Sequence, residues 1–256
     1  MATTKITNPD LFDLGSLNTA LKLPSGTTAE RPTSPSTGEW RYNTDNNLIE
    51  YYDGAQWMNL QSEDIPPTPS EHFSVITYTG DGASPRSITG VGFKPDLLWI
   101  KKRNSADDNV WFDTSRGPQK EIISNSTAAE ATKAGDAIIS FDSDGFTTGN
   151  NGAINANGDT YVAWCWKANG GTTVSNGEGS VTSTVQANTK AGFSIIKYTG
   201  TSASSQSVGH GLTSTPEIVF FKNLSGADGW IVWYPGASTT NYLVLNTNAA
   251  TADIAV

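Results

Sequence analysis

FSVITYTGDGASPRSI, residues 73–88, returns as FSIIKYTGTSASSQSV, residues 193–208. An internal copy that keeps its aromatic, β-branched and Gly positions over 120 residues marks a duplicated structural unit. The match stays in step downstream. Pro95 to Lys101 (PDLLWIK) corresponds to Pro216 to Lys222 (PEIVFFK), and Asn125 with Ala128 and Ala129 corresponds to Asn246 with Ala249 and Ala250, at an offset of 121. Within each copy short alternating apolar runs are separated by Gly- and Asn-rich turns, and no amphipathic stretch of ten residues has a helical period. This pattern predicts a β-sandwich with jelly-roll-like strand order. The strands expected first are Phe73 to Tyr78, Asp96 to Lys101, Val110 to Asp113, Ile138 to Phe141 and Tyr161 to Trp166.

The first copy runs on through AIISFDSDGFTTG to DTYVAWCWKA and ends at Ala168. Adding the 121-residue offset to Ala168 puts the end of an equal second copy near residue 289, 33 positions past Val256. Two strands of the second unit are therefore expected from a longer polypeptide, with another chain as the alternative source. Upstream, three aromatic runs, Glu39 to Tyr42, Leu48 to Tyr52 and Gln56 to Leu60, are split by the turn signals NTDNN and YDGA and read as a three-stranded meander. The expected organisation is an N-terminal arm (1–38), the meander (39–62), a Pro-rich linker (63–72), a first sandwich (73–168), a Gly/Ser/Thr-rich stretch that is a long connection or a weak edge hairpin (169–190) and an incomplete second sandwich (191–256). Pro66, Pro67 and Pro69 stiffen the linker and exclude a central strand there.

Composition agrees with an all-β chain: 78 of 256 residues are Ser, Thr or Asn, and charged residues are only 16%, against about 25% in ordinary soluble domains. A net charge of −9 repels phosphate backbones and anionic lipid surfaces, so nucleic-acid binding is not expected. No run of about 18 apolar residues predicts membrane insertion, and the N-terminus lacks the layout of a signal peptide. The lone cysteine, Cys165, forms no intrachain disulfide, which suits assembly in a reducing cytoplasm.

Candidate chemistry is sparse. Asp142 and Asp144, before Gly145 and with Asp136 upstream, have the alternation that gathers oxygens around calcium. The same Asp-x-Asp-Gly is also ordinary hairpin-turn chemistry, and that reading is preferred. In a strand Cys165 shares a face with Tyr161 and Ala163, which predicts a buried, inert thiol. His72 and His210 pair with no nucleophile, and no carboxylate pair has a spacing that marks a glycosidase. Most of the eight Trp residues are expected in the core. Trp230, beside Gly229, is the candidate for stacking on a sugar ring.

The duplicated run FSVITYTGDGA, SITGVGFKPDLLWIKKRN, VWFDTSRG and SFDSDGFTTGNNGAINANGDTYVAWCWKA resembles a repeated domain in virion proteins of tailed phages from marine and other environments. Those proteins are assigned to tail fibres or similar appendages with concanavalin-like sandwiches. LPSGTTAERPTSPSTGEWRYNTDNNLIEYYDGAQWMNL, residues 23–60, is similar to a short module of phage structural proteins. The resemblance implies a virion structural protein, most simply a tail fibre, assembled in the host cytoplasm, with no catalytic residues and no cofactor.

A three-stranded meander is marginal in water on its own. Three chains side by side would let Trp40, Tyr42, Ile49, Tyr51, Trp57 and Met58 form a shared core, hence the expected homotrimer. Leu11, Phe12, Leu14, Leu17 and Leu21 are expected to anchor the N-terminal arm on other phage tail or adaptor proteins. Rival readings are a capsid decoration or head-fibre protein, a lectin-like module binding host surface glycans, and a polysaccharide depolymerase.

Overall fold

The computed structural model describes residues 23–60, 68–236, 241–248 and 252–253. The expected anchor residues Leu11, Phe12, Leu14, Leu17 and Leu21 lie outside the described residues, as do residues 63–67 of the Pro-rich linker. The chain is all-β. It divides into two compact units, one on either side of residues 61–67. Among the described residues no helix is long and apolar enough to cross a membrane.

The first unit is a four-stranded sheet of β1 (Ser25–Gly26), β2 (Trp40–Asn43), β3 (Leu48–Tyr52) and β4 (Trp57–Leu60), in that order. The β2–β3–β4 meander matches the expected runs, with Trp40 opposite Tyr51 and Tyr51 opposite Met58. The expected free arm ends earlier than residue 38. Its second half belongs to the sheet: β1 pairs in parallel with β2, Tyr42 N donates to the Pro24 carbonyl at 2.8 Å, and Thr44 N donates to the Gly26 carbonyl at 2.9 Å. A 3-10 turn over Thr28–Glu30 follows, held because the Glu30 carboxylate accepts from Thr27 N at 2.7 Å. Proline at 24, 32 and 35 suits extended chain, and that extended chain lies along the sheet.

In the second unit the first copy folds as a sandwich. Its strands are β5 (Phe73–Thr79), β6 (Arg86–Thr89), β7 (Leu97–Lys102), β8 (Asn109–Asp113), β9 (Lys120–Ile123), β10 (Ala131–Thr132), β11 (Ile138–Asp142), β12 (Gly145–Thr148) and β13 (Thr160–Trp166), with a single helical turn α1 (Gly152–Asn155). One sheet has six strands in the order β10-β9-β8-β7-β13-β5, and the facing sheet has three, β11-β12-β6. Between them lie Leu98, Ile100, Val110, Phe112, Phe146, Ile138, Ile88, Tyr161, Ala163 and Cys165. These are alternate residues of each strand, as the period of two requires. Ser143–Asp144 makes the β11–β12 turn, with Asp142 opposite Gly145. Gly145 sits at φ 151°, and a Cβ there would stand 2.0 Å from the Ile88 carbonyl oxygen, so only glycine lets β6 approach the turn.

The connection 169–190 contains two strands, β14 (Val174–Asn176) and β15 (Ser183–Asn188); β14 pairs with β15, and β15 with β16 (Phe193–Tyr198). A fourth sheet follows: β17 (Val219–Phe221), β18 (Ile231–Trp233), β19 (Asn241–Val244) and β20 (Ala252–Asp253). Its registers reproduce those of the first copy. Trp99 opposite Trp111 becomes Phe220 opposite Val232, Trp111 opposite Ile122 becomes Val232 opposite Leu243, and Glu121 opposite Ala131 becomes Tyr242 opposite Ala252. Both partners move by 121 positions in every case. The duplication read from the sequence is therefore also a duplication of strand pairing.

Candidate functional site

The small sheet has an inverted polarity. Counting from the register, Trp40, Tyr42, Ile49, Tyr51, Met58 and Leu60 share one face, while Arg41, Asn43, Leu48, Glu50, Tyr52, Trp57 and Asn59 share the other, with the charged groups at its centre. In an isolated two-layer unit the apolar face turns inward. Here the inward face is the polar one, because the Pro24–Arg31 segment covers it. Glu50 is fully buried there. Its carboxylate accepts from Arg31 Nε at 3.1 Å, Arg31 Nη2 at 2.5 Å and Asn43 Nδ2 at 3.1 Å, and Arg41 Nη1 stands 3.6 Å away. The Arg31 hydrogen bonds, then Asn43 and the charge of Arg41, hold the Glu50 carboxyl below its ordinary range against the opposing effect of burial.

The aromatic face is open at Trp40, Met58 and Leu60 and half-buried at Tyr42, Ile49 and Tyr51. Trp40 is 47% exposed and Leu60 42%, and Trp40 and Tyr51 lie with ring centroids 5.7 Å apart. Of the six residues expected at an oligomer interface, five, Trp40, Tyr42, Ile49, Tyr51 and Met58, fall on this face. Leu60, which the sequence reading passed over, joins them. Trp57 does not: it pairs with Tyr52 in register and sits on the polar side. There its ring lies 5.9 Å from the Arg41 guanidinium and 5.7 Å from the Tyr52 ring. A shift of one residue along a strand reverses the face, and the run Gln56-Trp57-Met58 contains both parities.

The other expected site residues lie apart from this surface, in the second unit. Asp144 accepts from Gly92 N at 2.6 Å and Gly90 N at 3.1 Å, and Asp142 accepts from the Ser140 and Thr147 hydroxyls, each at 2.7 Å. The two carboxylates are spent on the β11–β12 turn and its neighbours, and among the described residues no group of three or more His, Cys, Asp or Glu is placed to hold a metal ion. Cys165 is buried, and burial pushes its thiol up to about 12. His72 Nδ1 meets Asn188 Nδ2 at 2.9 Å, and His210 Nδ1 accepts from Leu212 N at 3.1 Å.

Trp230 is the clearest correction. It is 2% exposed, packs against Trp111 with centroids 5.0 Å apart, and donates its indole N–H to the Ile123 carbonyl at 2.8 Å. It is an anchor of the second copy on the first, not an exposed sugar platform. Leu97, Trp111 and Ile122, on the outer face of the six-stranded sheet, form the rest of that contact with Phe193, Ile195, Leu224 and Leu245. The signal for it was present in Leu97-Leu98-Trp99-Ile100, an unbroken apolar run of the kind found in strands buried on both faces.

A family model described as a domain of unknown function, DUF7483, matches residues 68–256. No curated protein and no solved structure matches the chain.

Proposed function

The chain belongs to the DUF7483 family, a domain of unknown function, and we propose that it is a bacteriophage virion structural protein. Most simply it is a tail fibre that assembles as a homotrimer through the aromatic face of its N-terminal sheet, with no catalytic role. The observation that carries this reading is the outward aromatic face. Trp40, Tyr42, Ile49, Tyr51, Met58 and Leu60 stand on a 38-residue stretch whose own interior is an ion-pair cluster. Monomeric proteins rarely leave a contiguous apolar surface of this kind in water, and a second and third copy supply the missing cover. The phage assignment comes from the resemblance of residues 23–60 and of the duplicated run. In it the N-terminal residues attach to tail or adaptor proteins and the sandwiches project toward the host surface.

Sedimentation of the purified chain tests the assembly. A trimer is expected, and the double variant Trp40→Lys with Met58→Lys is expected to sediment as a monomer with unchanged β-sheet circular dichroism, because both side chains are substantially exposed in the single chain. A wild-type monomer overturns the reading. The virion assignment is checked separately by peptide mass spectrometry of purified particles, where absence of the chain rejects it.

A further inference from the structure

A recess of about 260 Å³ lies in the small unit beside the start of β2, between the sheet and the segment that covers it. Two indoles, Trp40 and Trp57, and two prolines, Pro24 and Pro32, give it apolar walls, while Glu30, Glu39 and Arg41 bring charge to it. Arg41 and Trp57 belong to the polar side of the sheet, so of these residues only Trp40 is shared with the aromatic face.

The charged groups here differ in what already holds them. Arg41 has Glu50 at 3.6 Å and donates Nη2 to the Thr27 carbonyl at 3.1 Å. Glu30 accepts from the Thr27 amide at 2.7 Å and from its hydroxyl at 3.1 Å. Farther off, Asp45 accepts from Thr28 N, and Asp53 from Ala55 N and Gln56 N. Glu39 is the exception. It is half-buried, and its carboxylate has no hydrogen bond or ion pair among the described residues. Its backbone is fixed on both sides, because its amide donates to the Ser36 carbonyl at 3.1 Å and its carbonyl accepts from Tyr52 N at 2.9 Å.

An unpaired, half-buried carboxylate beside indole rings favours a cation, which the carboxylate pairs with and the ring quadrupoles attract. The formal charge of residues 23–60 has the same sense, with five acidic and two basic side chains. A planar guanidinium suits the walls better than an ammonium does, since it stacks on aromatic rings and offers a carboxylate two parallel N–H donors. Arg31 and Arg41, the arginines of this unit, are both engaged on Glu50, so the guest comes from elsewhere.

We propose that this recess is a docking site for an arginine side chain of a partner polypeptide, paired with the Glu39 carboxylate and stacked against the indoles of Trp40 and Trp57. The inference depends on neither the trimer nor the phage assignment.

The test titrates the full chain, labelled with fluorotryptophan and followed by fluorine NMR, with the capped tripeptide acetyl-Gly-Arg-Gly-amide. Saturable binding is expected, with a dissociation constant on the order of millimolar. The resonances of Trp40 and Trp57 should move while those of Trp111 and Trp230, both buried in the second unit, stay in place. The same tripeptide with neutral citrulline for arginine, and the Glu39→Gln chain with the parent tripeptide, each lack one charge of the pair. Each is expected to bind at least about tenfold more weakly. Absence of a saturable shift at Trp40 and Trp57 overturns the proposal. So does binding that Glu39→Gln leaves unchanged, or a lysine tripeptide that binds as tightly as the arginine one.

Discussion

Glu50 shows how one side chain sets the polarity of an element. Buried on the inner face of the small sheet, it is tolerated only because Arg31, Asn43 and Arg41 surround it. Removing one member of a buried ion pair leaves the other uncompensated and costs about 3–5 kcal/mol. Arg41, whose side chain is 6% exposed, is the group that Glu50→Ala would strand. That cost approaches the whole stability of a small domain, so the variant is expected to lose protection of β2–β4 in hydrogen exchange while the β5–β13 sandwich keeps its own. The pH dependence follows from the lowered carboxyl. Glu50 contributes its full stabilisation above the ordinary Glu value of about 4.3, and the contribution fades as pH falls through the lower folded-state value. The protection factors of β2–β4 amides, taken against the intrinsic exchange rate at each pH, should therefore fall on acidification below about pH 4, and Glu50→Gln should flatten that dependence.

Among the elements, β18 and the residue before it decide how the second copy is held. Trp230 fills a space between Trp111 and the end of β9 and satisfies its indole N–H on Ile123. Truncating a buried aromatic of this size costs about 3–5 kcal/mol. Trp230→Ala is expected to release β17–β19 locally, seen as faster exchange in 219–221 and 231–233, with little change in 97–102 and 160–166. Uniform loss across both copies would contradict the picture of Trp230 as a local anchor. The first copy cannot predict this residue by homology, because its register counterpart is Asn109. Only the outward aromatic row of the six-stranded sheet announces that something must lie on it.

At the scale of the molecule, the two units draw their stability from different sources. The first has a polar interior and an aromatic exterior; the second has a dry sandwich core of its own. Removal of residues 1–60 is therefore expected to abolish self-association while leaving residues 68–256 with an unchanged β signature in circular dichroism. A truncated chain that loses its β signal would mean that the sandwich leans on the first unit.

Strand existence and the duplication were legible in the residues, because alternation, turn chemistry and repeated apolar positions are local properties with a period of two. Phe73–Thr79 and Thr160–Trp166 differ from expectation by one residue at one end, and Leu97–Lys102 is shifted by one residue at each end. Which face of a strand meets which neighbour was not legible. Trp57 and Trp230 both read as surface or interface candidates, and both are settled by contacts with residues far away in the chain, Arg41 in one case and Ile123 in the other. The folding of Pro24–Arg31 over Glu50 is of the same kind. Local alternation, turn chemistry and the repeat were enough to set the all-β class and the main strands, whereas the covered sides of those strands follow from the fold, because burial depends on long-range packing that no local period encodes.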